Sequence, residues 1–368
     1  MSTAMTMETM RPLMDRILNR KHALSSLTDA EFEALLPKLA AELAANGVLH
    51  ESYPGAEIQK DWALLLKKDA TINATTISAT EVAGMKVMRK HMQHFHAVRN
   101  YKGHSVESLW TQPCLEKALR FNRAQHSTPY ASEIIRSLSF ANGLGKVTMY
   151  RPMMAKKVVS YLTAKDGLTD VRVLDVCAGW GGRMIGAKSV ELSPASTCKV
   201  HYTGIDPCEK THGALRAIRD ELGLTNVTLI HKPAEVALRD LDPSVTYDIA
   251  LTSPPYYNLE IYSDEPTQSV ATKDGYQTWL NEFLNPVIAG VIRLGVKYSC
   301  WSVKNFKTDK KYDLLDDVIR IHGEHGWRLL DGVVFTMANS RRPGQKAPSE
   351  DVAPKKTEEC TYVFVRVT

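Results

Sequence analysis

Cysteine is sparse in this 368-residue chain: there are six (Cys114, Cys177, Cys198, Cys208, Cys300 and Cys360), and no two form a Cys-x-x-Cys pair. That spacing argues against a zinc site and against a disulfide framework, so no metal is expected and the thiols are read as reduced and structural. Long apolar runs are missing as well. No stretch approaches the roughly 20 apolar residues that span a bilayer, and the opening MSTAMTMETMRPLMDRILNRKH lacks the basic, apolar and small-residue zones of a secretory signal. A soluble, cytoplasmic protein with no membrane partner is the expectation. Neither Gly-x-Gly-x-x-Gly nor Gly-Lys-Ser/Thr occurs. Phosphate recognition of the dinucleotide or triphosphate kind is therefore not expected.

What is present suffices for large cores: 44% of the residues are hydrophobic, in a length that predicts two domains. Residues 1–144 read as mainly helical. In SLTDAEFEALLPKLAAELAANGV, Ser26 or Thr28 is a candidate N-cap, acids occupy the first turn, and Asn46-Gly47 is the stop. From residue 145 short β-branched runs (VRVLDVC, KVHYTGID, NVTLIHK, YDIALTS, KYSCWSV, WRLLDGVVFTMA) alternate with helical ones. That alternation predicts an α/β fold with a doubly wound, mostly parallel sheet whose ligands bind at the carboxyl ends of its strands. The final run ECTYVFVRV is expected to return antiparallel beside its predecessor.

Charge is uneven. The whole chain carries +5, while residues 86–146 alone carry +7, from ten basic residues that include Arg89, Lys90 and Arg99. Phe95, Tyr101, Trp110 and Phe121 are interleaved with them. Such a stretch can follow phosphates and stack on bases, or it can be a solvated helical face.

In VRVLDVCAGWGGRMIGA a buried strand runs straight into Ala178-Gly179-Trp180-Gly181-Gly182 and then into a helix. Glycines at that junction admit close approach to the backbone. The next strand ends in YTGIDPC, which puts Asp206 where a carboxylate can take both hydroxyls of a ribose. An adenosine without phosphates suits both features. These residues resemble the cofactor motifs of class I S-adenosylmethionine-dependent methyltransferases, which have a seven-stranded doubly wound sheet. The resemblance implies that Asp175, Ala178, Gly179 and Gly181 line the methionine and ribose region, and that Asp206-Pro207 lies at the ribose. Upstream, MYRPMMAKKVVSYL, with Arg151 and Pro152 near its start, resembles the helix that closes over the methionine end in DNA amino-methyltransferases. One position departs from the pattern. Where such enzymes commonly place an acid near the adenine amino group, this chain has His231-Lys232-Pro233-Ala234-Glu235, with Glu235 the nearest candidate.

The fourth strand leaves through Ser253-Pro254-Pro255-Tyr256. Two prolines fix φ and remove competing N–H donors, so carbonyls are left free to point into a site. The stretch resembles the Asp/Asn/Ser-Pro-Pro-Tyr/Phe/Trp motif of methyltransferases that act on exocyclic amino groups of DNA bases. By that resemblance the Ser253 hydroxyl and the Pro254 carbonyl accept the two amino N–H bonds, and Tyr256 stacks on a base flipped out of double-stranded DNA. Tyr257 and Asn258 contact the substrate or hold the loop. Ser in the first position leans towards cytosine N4 over adenine N6. No Pro-Cys nucleophile of the ring-carbon type is expected, because Gln112-Pro113-Cys114 lies outside the sheet. The resemblance covers residues 145–368. Target recognition is accordingly assigned to the helical domain, 1–144, through Arg89, Lys90 and Arg99, with help from Arg341 and Arg342. RNA is the rival substrate. A nucleic-acid-binding protein with an inactive methyltransferase domain, or a nicotinamide oxidoreductase, fits less of this pattern.

Overall fold

A computed structural model describes residues 12–68, 70, 75–78, 80–144, 147–194, 196–271, 274–338 and 354–367; Arg341 and Arg342 lie outside them. The described chain divides into two compact units. One comprises residues up to Ser52, Gln93–Thr148 and Glu260–Ser263; the other comprises Tyr53–Met92, Met149–Leu259 and Asp264 onwards.

The strands are β1 (Thr76–Ser78), β2 (Arg99–Asn100), β3 (Asp170–Asp175), β4 (Lys199–Ile205), β5 (Val227–Ile230), β6 (Ile249–Thr252), β7 (Glu260–Ile261), β8 (Tyr298–Val303), β9 (Phe306–Lys307), β10 (Lys311–Tyr312), β11 (Trp327–Ala338) and β12 (Cys360–Arg366). The main sheet has eight strands in the order β1-β11-β12-β8-β6-β3-β4-β5. It is doubly wound, as expected, with one strand more than the expected seven. The addition is β1, a three-residue strand that pairs parallel to β11 through Thr76↔Thr336 and its neighbours. Three residues are too few to show a period of two in sequence. β12 returns antiparallel to β11 and inserts between it and β8, to which it is also antiparallel.

Helices cover both faces of this sheet. On one, the helices Pro152–Asp166, Gly182–Glu191 and Glu209–Glu221 share a core with Val171, Val173 and Ile249. On the other, Ala234–Asp240, Asn285–Arg293 and Leu314–Glu324 pack on Leu174, Ala250 and Trp301. The first core also contains Ile58, Trp62, Leu65, Met85 and Met88. A single division at residue 144 would assign these side chains to the N-terminal helices, yet their apolar faces are satisfied by the sheet. Lys156 joins the same packing. It is buried, and its ammonium donates to the carbonyls of Leu65, Leu66 and Lys68, at 2.7–3.0 Å, where the helix Gly55–Lys67 ends.

The other unit is mainly helical, as its sequence suggests. Thr28 and Glu31 form the capping box of Asp29–Asn46, and Gly47 ends that helix at φ +81°. Leu36, Leu39 and Leu43 meet Leu115, Leu119 and Leu138 in its core. Two short strands join this unit, β2 pairing with β7 through Arg99↔Ile261. No helix of the described residues is long and apolar enough to cross a membrane.

Candidate cofactor and methyl-transfer site

At the carboxyl end of β3 the chain turns through Gly179 (φ +51°) and Gly181 (φ +82°) before the helix Gly182–Glu191 begins. Both angles lie in the left-handed region that glycine enters without strain. The glycines serve two different purposes. A side chain on Gly182 would meet the Tyr150 carbonyl at 2.0 Å, and one on Gly186 would meet the Pro152 carbonyl at 2.1 Å. What they admit is the backbone entering the preceding helix, not a ligand. Gly179 differs, since a Cβ there has no neighbour closer than 3.7 Å. It leaves the open side of the turn bare.

Asp175, the last residue of β3, is fully buried. Its carboxylate accepts from Arg183 Nε at 2.8 Å, from Tyr202 OH at 2.7 Å and from the Cys177 amide at 3.3 Å. Burial opposes the Arg183 charge, yet the Asp175 carboxylate beside it holds the guanidinium well above its ordinary pKa. The same guanidinium donates to the Cys177 carbonyl and lies over the Tyr150 ring. In this structure Asp175 holds the turn in shape through bonds to the protein. Arg183 and Tyr202 complete that role and were not singled out from sequence; the signal available was a basic residue directly after the glycine turn.

Asp206 faces the open side instead. It is 8% exposed and follows β4; its two oxygens accept from the Gly179 amide (2.9 Å) and the Cys208 amide (3.0 Å). Burial pushes its pKa up to about 6 despite those two amides. Each oxygen keeps a second lone pair, so vicinal hydroxyls would find two acceptors there. The Pro207 carbonyl is 2.9 Å from His231 Nε2, and the His231 ring stacks on His212 at 5.0 Å. Thus His231, at the end of β5, stands against the residue after Asp206. A bare glycine turn, a buried two-oxygen acceptor and no phosphate cradle fit the adenosine and methionine parts of S-adenosylmethionine.

β6 is the hydrogen-bonded neighbour of β3, with Val173↔Ile249 and Leu174↔Ala250 in register. Continuing that register brings Ser253 level with Cys177, beside the glycine turn. This is the point where the winding of the sheet reverses, β4 and β5 lying on one side of β3 and β6 and β8 on the other. Ser253 and Pro255 are half-buried, and Pro254 is buried. Tyr256 is 6% exposed, its ring edge-on to Phe306 at 5.6 Å. Tyr257 takes φ +45°, a strained value for a non-glycine residue. Its ring lies 5.5–5.9 Å from those of Tyr276, Trp279 and Tyr312. Asn258 accepts from the Thr308 hydroxyl at 3.2 Å. In this structure, then, Tyr257 and Asn258 fasten the loop.

The remaining expected site residues are more dispersed. Arg151 donates to the Glu81 carbonyl, and Pro152 starts the helix Pro152–Asp166. Arg89 reaches the Tyr53 hydroxyl at 3.3 Å and Lys90 pairs with Glu221 at 2.7 Å, both in the sheet unit. Arg99 belongs to the other unit, in β2. Much of the positive charge counted between residues 86 and 146 is matched by acids from elsewhere in the chain: Lys86 by Glu57, Arg120 by Glu33 and Arg123 by Asp29.

No family model and no curated protein matches this sequence. Solved structures do. Magnesium protoporphyrin IX methyltransferase from Synechocystis PCC 6803, with bound SAM, is 15% identical over 61% of this chain and 87% of its own, with a TM-score of 0.35. A proposed class I S-adenosylmethionine-dependent methyltransferase from Listeria monocytogenes is 15% identical over 85% and 88%, with a TM-score of 0.40. Precorrin-6y C5,15-methyltransferase from Geobacter metallireducens is 15% identical over 60% and 94%, at 0.35. These neighbours are methyltransferases of varied substrate. Likeness at such scores assigns no chemistry, which has to come from the residues themselves.

Proposed function

We propose that this protein transfers a methyl group from S-adenosylmethionine to an exocyclic amino group of a base in double-stranded DNA, cytosine N4 in preference to adenine N6, with the base flipped out of its stack. One observation carries the reading: the strand that ends in the glycine turn and the strand that ends in Ser-Pro-Pro-Tyr are direct neighbours whose ends are level. An amino group held by one loop would lie beside a ligand held by the other.

Bound there, S-adenosylmethionine supplies an electrophilic methyl group. The chain's own contribution is to hold and orient. Asp206 and the open face of Gly179 receive the ribose end. The Ser253 hydroxyl and Pro254 carbonyl accept the two amino N–H bonds, which draws the nitrogen towards tetrahedral geometry and frees its lone pair from the ring. The acceptors are fixed in advance by two prolines and by the anchored loop; as the methyl leaves sulfur for nitrogen, S-adenosylhomocysteine departs as a neutral thioether, and the proton shed by the methylated nitrogen passes through the Ser253 hydroxyl to water. Tyr256 bears on the base ring. Arg89, Lys90, Arg99, Arg341 and Arg342 are the cations proposed to meet the nucleic-acid backbone, Lys90 by sharing its bond to Glu221.

The test is direct. Labelled S-adenosylmethionine is incubated with the protein and a mixture of DNA and RNA, and the digested nucleosides are identified by mass. N4-methylcytosine from DNA is expected, with Ser253→Ala losing the signal. Label in RNA, or in no nucleoside, would overturn the substrate.

A further inference from the structure

β8 and β12 run past one another with Cys360 opposite Val303 and Thr361 opposite Ser302. The next pair in that register is Lys304 opposite Glu359, just beyond the strand ends. Because side chains alternate along a strand, Lys304 shares a face with Ser302, and Glu359 shares one with Thr361. Those two hydroxyls are 2.6 Å apart, and the Tyr150 hydroxyl is 3.3 Å from Thr361. A polar row therefore runs along the rim and ends in an ion pair. By register with β8 (Thr252↔Trp301), Ser253 is level with that row.

The ion pair is loose. Lys304 Nζ is 3.8 Å from Glu359, with the two side chains 32% and 28% exposed. The same ammonium lies over the Tyr256 ring, 5.9 Å from its centroid. Its backbone is well held, since the Asn305 amide donates to the Lys356 carbonyl at 2.7 Å and the Asn305 side chain accepts from the Leu315 amide at 2.8 Å. A fixed backbone thus carries a loosely paired, partly exposed cation to the ring on which the target base is to lie.

Resting on the proposed base-amino reading, we infer that Lys304 is the specificity-determining donor of the site and that Glu359 is its keeper. Once Ser253 and Pro254 have taken the amino N–H bonds, the base still presents unmet acceptors beside that group. On the Watson–Crick edge cytosine presents two, N3 and O2, while adenine presents N1 alone. An ammonium has three donors and can serve N3 and O2 together while keeping Glu359. The base displaces Lys304 from the Tyr256 face, and the cation moves to the edge of the base. Glu359 also matters to the chemistry. A bare cation at N3 would pull electron density from the amino nitrogen, whereas a paired one contributes little net charge. Thymine offers a donor at N3 and is rejected.

The test separates this inference from the reading beneath it. With S-adenosylhomocysteine present, binding of oligo(dC) and oligo(dT) is measured for the whole protein and for its Lys304→Met, Lys304→Arg and Glu359→Gln variants. The unaltered protein should prefer oligo(dC) by about tenfold or more, as a donor matched to a base edge does. Lys304→Met should cut the preference several-fold, to what Ser253 and Pro254 alone draw from the amino group, Lys304→Arg should lose less of it, and Glu359→Gln should keep it while slowing methyl transfer. Affinity for S-adenosylhomocysteine should stay within about twofold in all of them. A preference unchanged in Lys304→Met overturns the role of Lys304. The absence of any methylated nucleoside with the unaltered protein overturns the reading beneath instead.

Discussion

The two loops that meet at the centre of the sheet are built on opposite plans. On the β3 side every strong interaction is internal: Asp175 is consumed by Arg183, Tyr202 and an amide, and Gly182 and Gly186 lie hard against the backbone around Tyr150 and Pro152. On the β6 side the loop is held by ring packing and by a side-chain hydrogen bond from Thr308, with a loosely paired lysine over its tyrosine. The first plan gives a rigid cradle for a ligand of fixed shape. The second holds its loop through side-chain packing, from which the proposed entry of a base would displace Lys304.

The contrast can be broken most violently at the glycines. Gly186→Ala drives a Cβ into the Pro152 carbonyl and the Ala155 side chain, so a loss of about 3 kcal/mol or more is expected in urea unfolding. Gly179→Ala meets open space and only backbone strain, about 1–2 kcal/mol. It should fold and yet bind S-adenosylhomocysteine poorly. Equal destabilisation by the two would end the distinction between a packing glycine and a ligand-facing one.

Asp206 gives an intermediate effect, and one with a sign. Its folded pKa, about 6, lies above the ordinary carboxylate value, so the folded state holds the proton more tightly. The stability this confers is complete below about pH 4 and disappears as pH rises through about 6, an effect on the order of 3 kcal/mol. Ligand binding runs the other way, because ribose hydroxyls prefer the ionised acceptor. Calorimetry should show S-adenosylhomocysteine affinity falling as pH drops through about 6. In Asp206→Asn the difference in stability from the unaltered protein should change over that same interval, and the affinity should be low throughout.

The smallest change is on the yielding side. Asn258→Ala removes one partner of Thr308, which also donates to Asp309, so stability should fall by about 1 kcal/mol or less. Methyl transfer should fall by more than that, because the loop carrying Ser253 loses a tether. Thermal unfolding and initial rates, measured together, check the split.

Much of the fold was legible in sequence because buried parallel strands announce themselves as apolar, β-branched runs: YDIALTS contains β6, buried throughout and parallel to both β3 and β8. The extra strand was not, since Thr76–Ser78 is recognisable only by its partner on β11. The division of the chain was misplaced for a related reason. Residues 53–92 have helical texture, and no local pattern tells whether Trp62 or Met88 packs on helices or on a sheet. Asp206 and Ser253 stood out in sequence by their place at strand ends. Arg183, Tyr202 and Lys304 escaped because their meaning depends on what lies beside them across 8, 27 and 48 positions of chain, from Asp175 and from Tyr256. In the basic stretch, composition counts charges without their partners, and several of its cations are paired with acids from elsewhere in the chain.

Glu260–Ser263 follows the loop of Ser253–Asn258 by a single residue and belongs to the helical unit, where β7 completes a ribbon with β2. The chain thus passes back and forth between its two units, and neither is a continuous piece of sequence. Cut at one point, it yields no intact half: a fragment starting near residue 145 forfeits Ile58, Trp62 and Met88 from its core, and a fragment ending there lacks β7. Units interleaved in this way cannot be shuffled between genes by simple fusion. A change in what the helical unit does has to be made in place, by substitution.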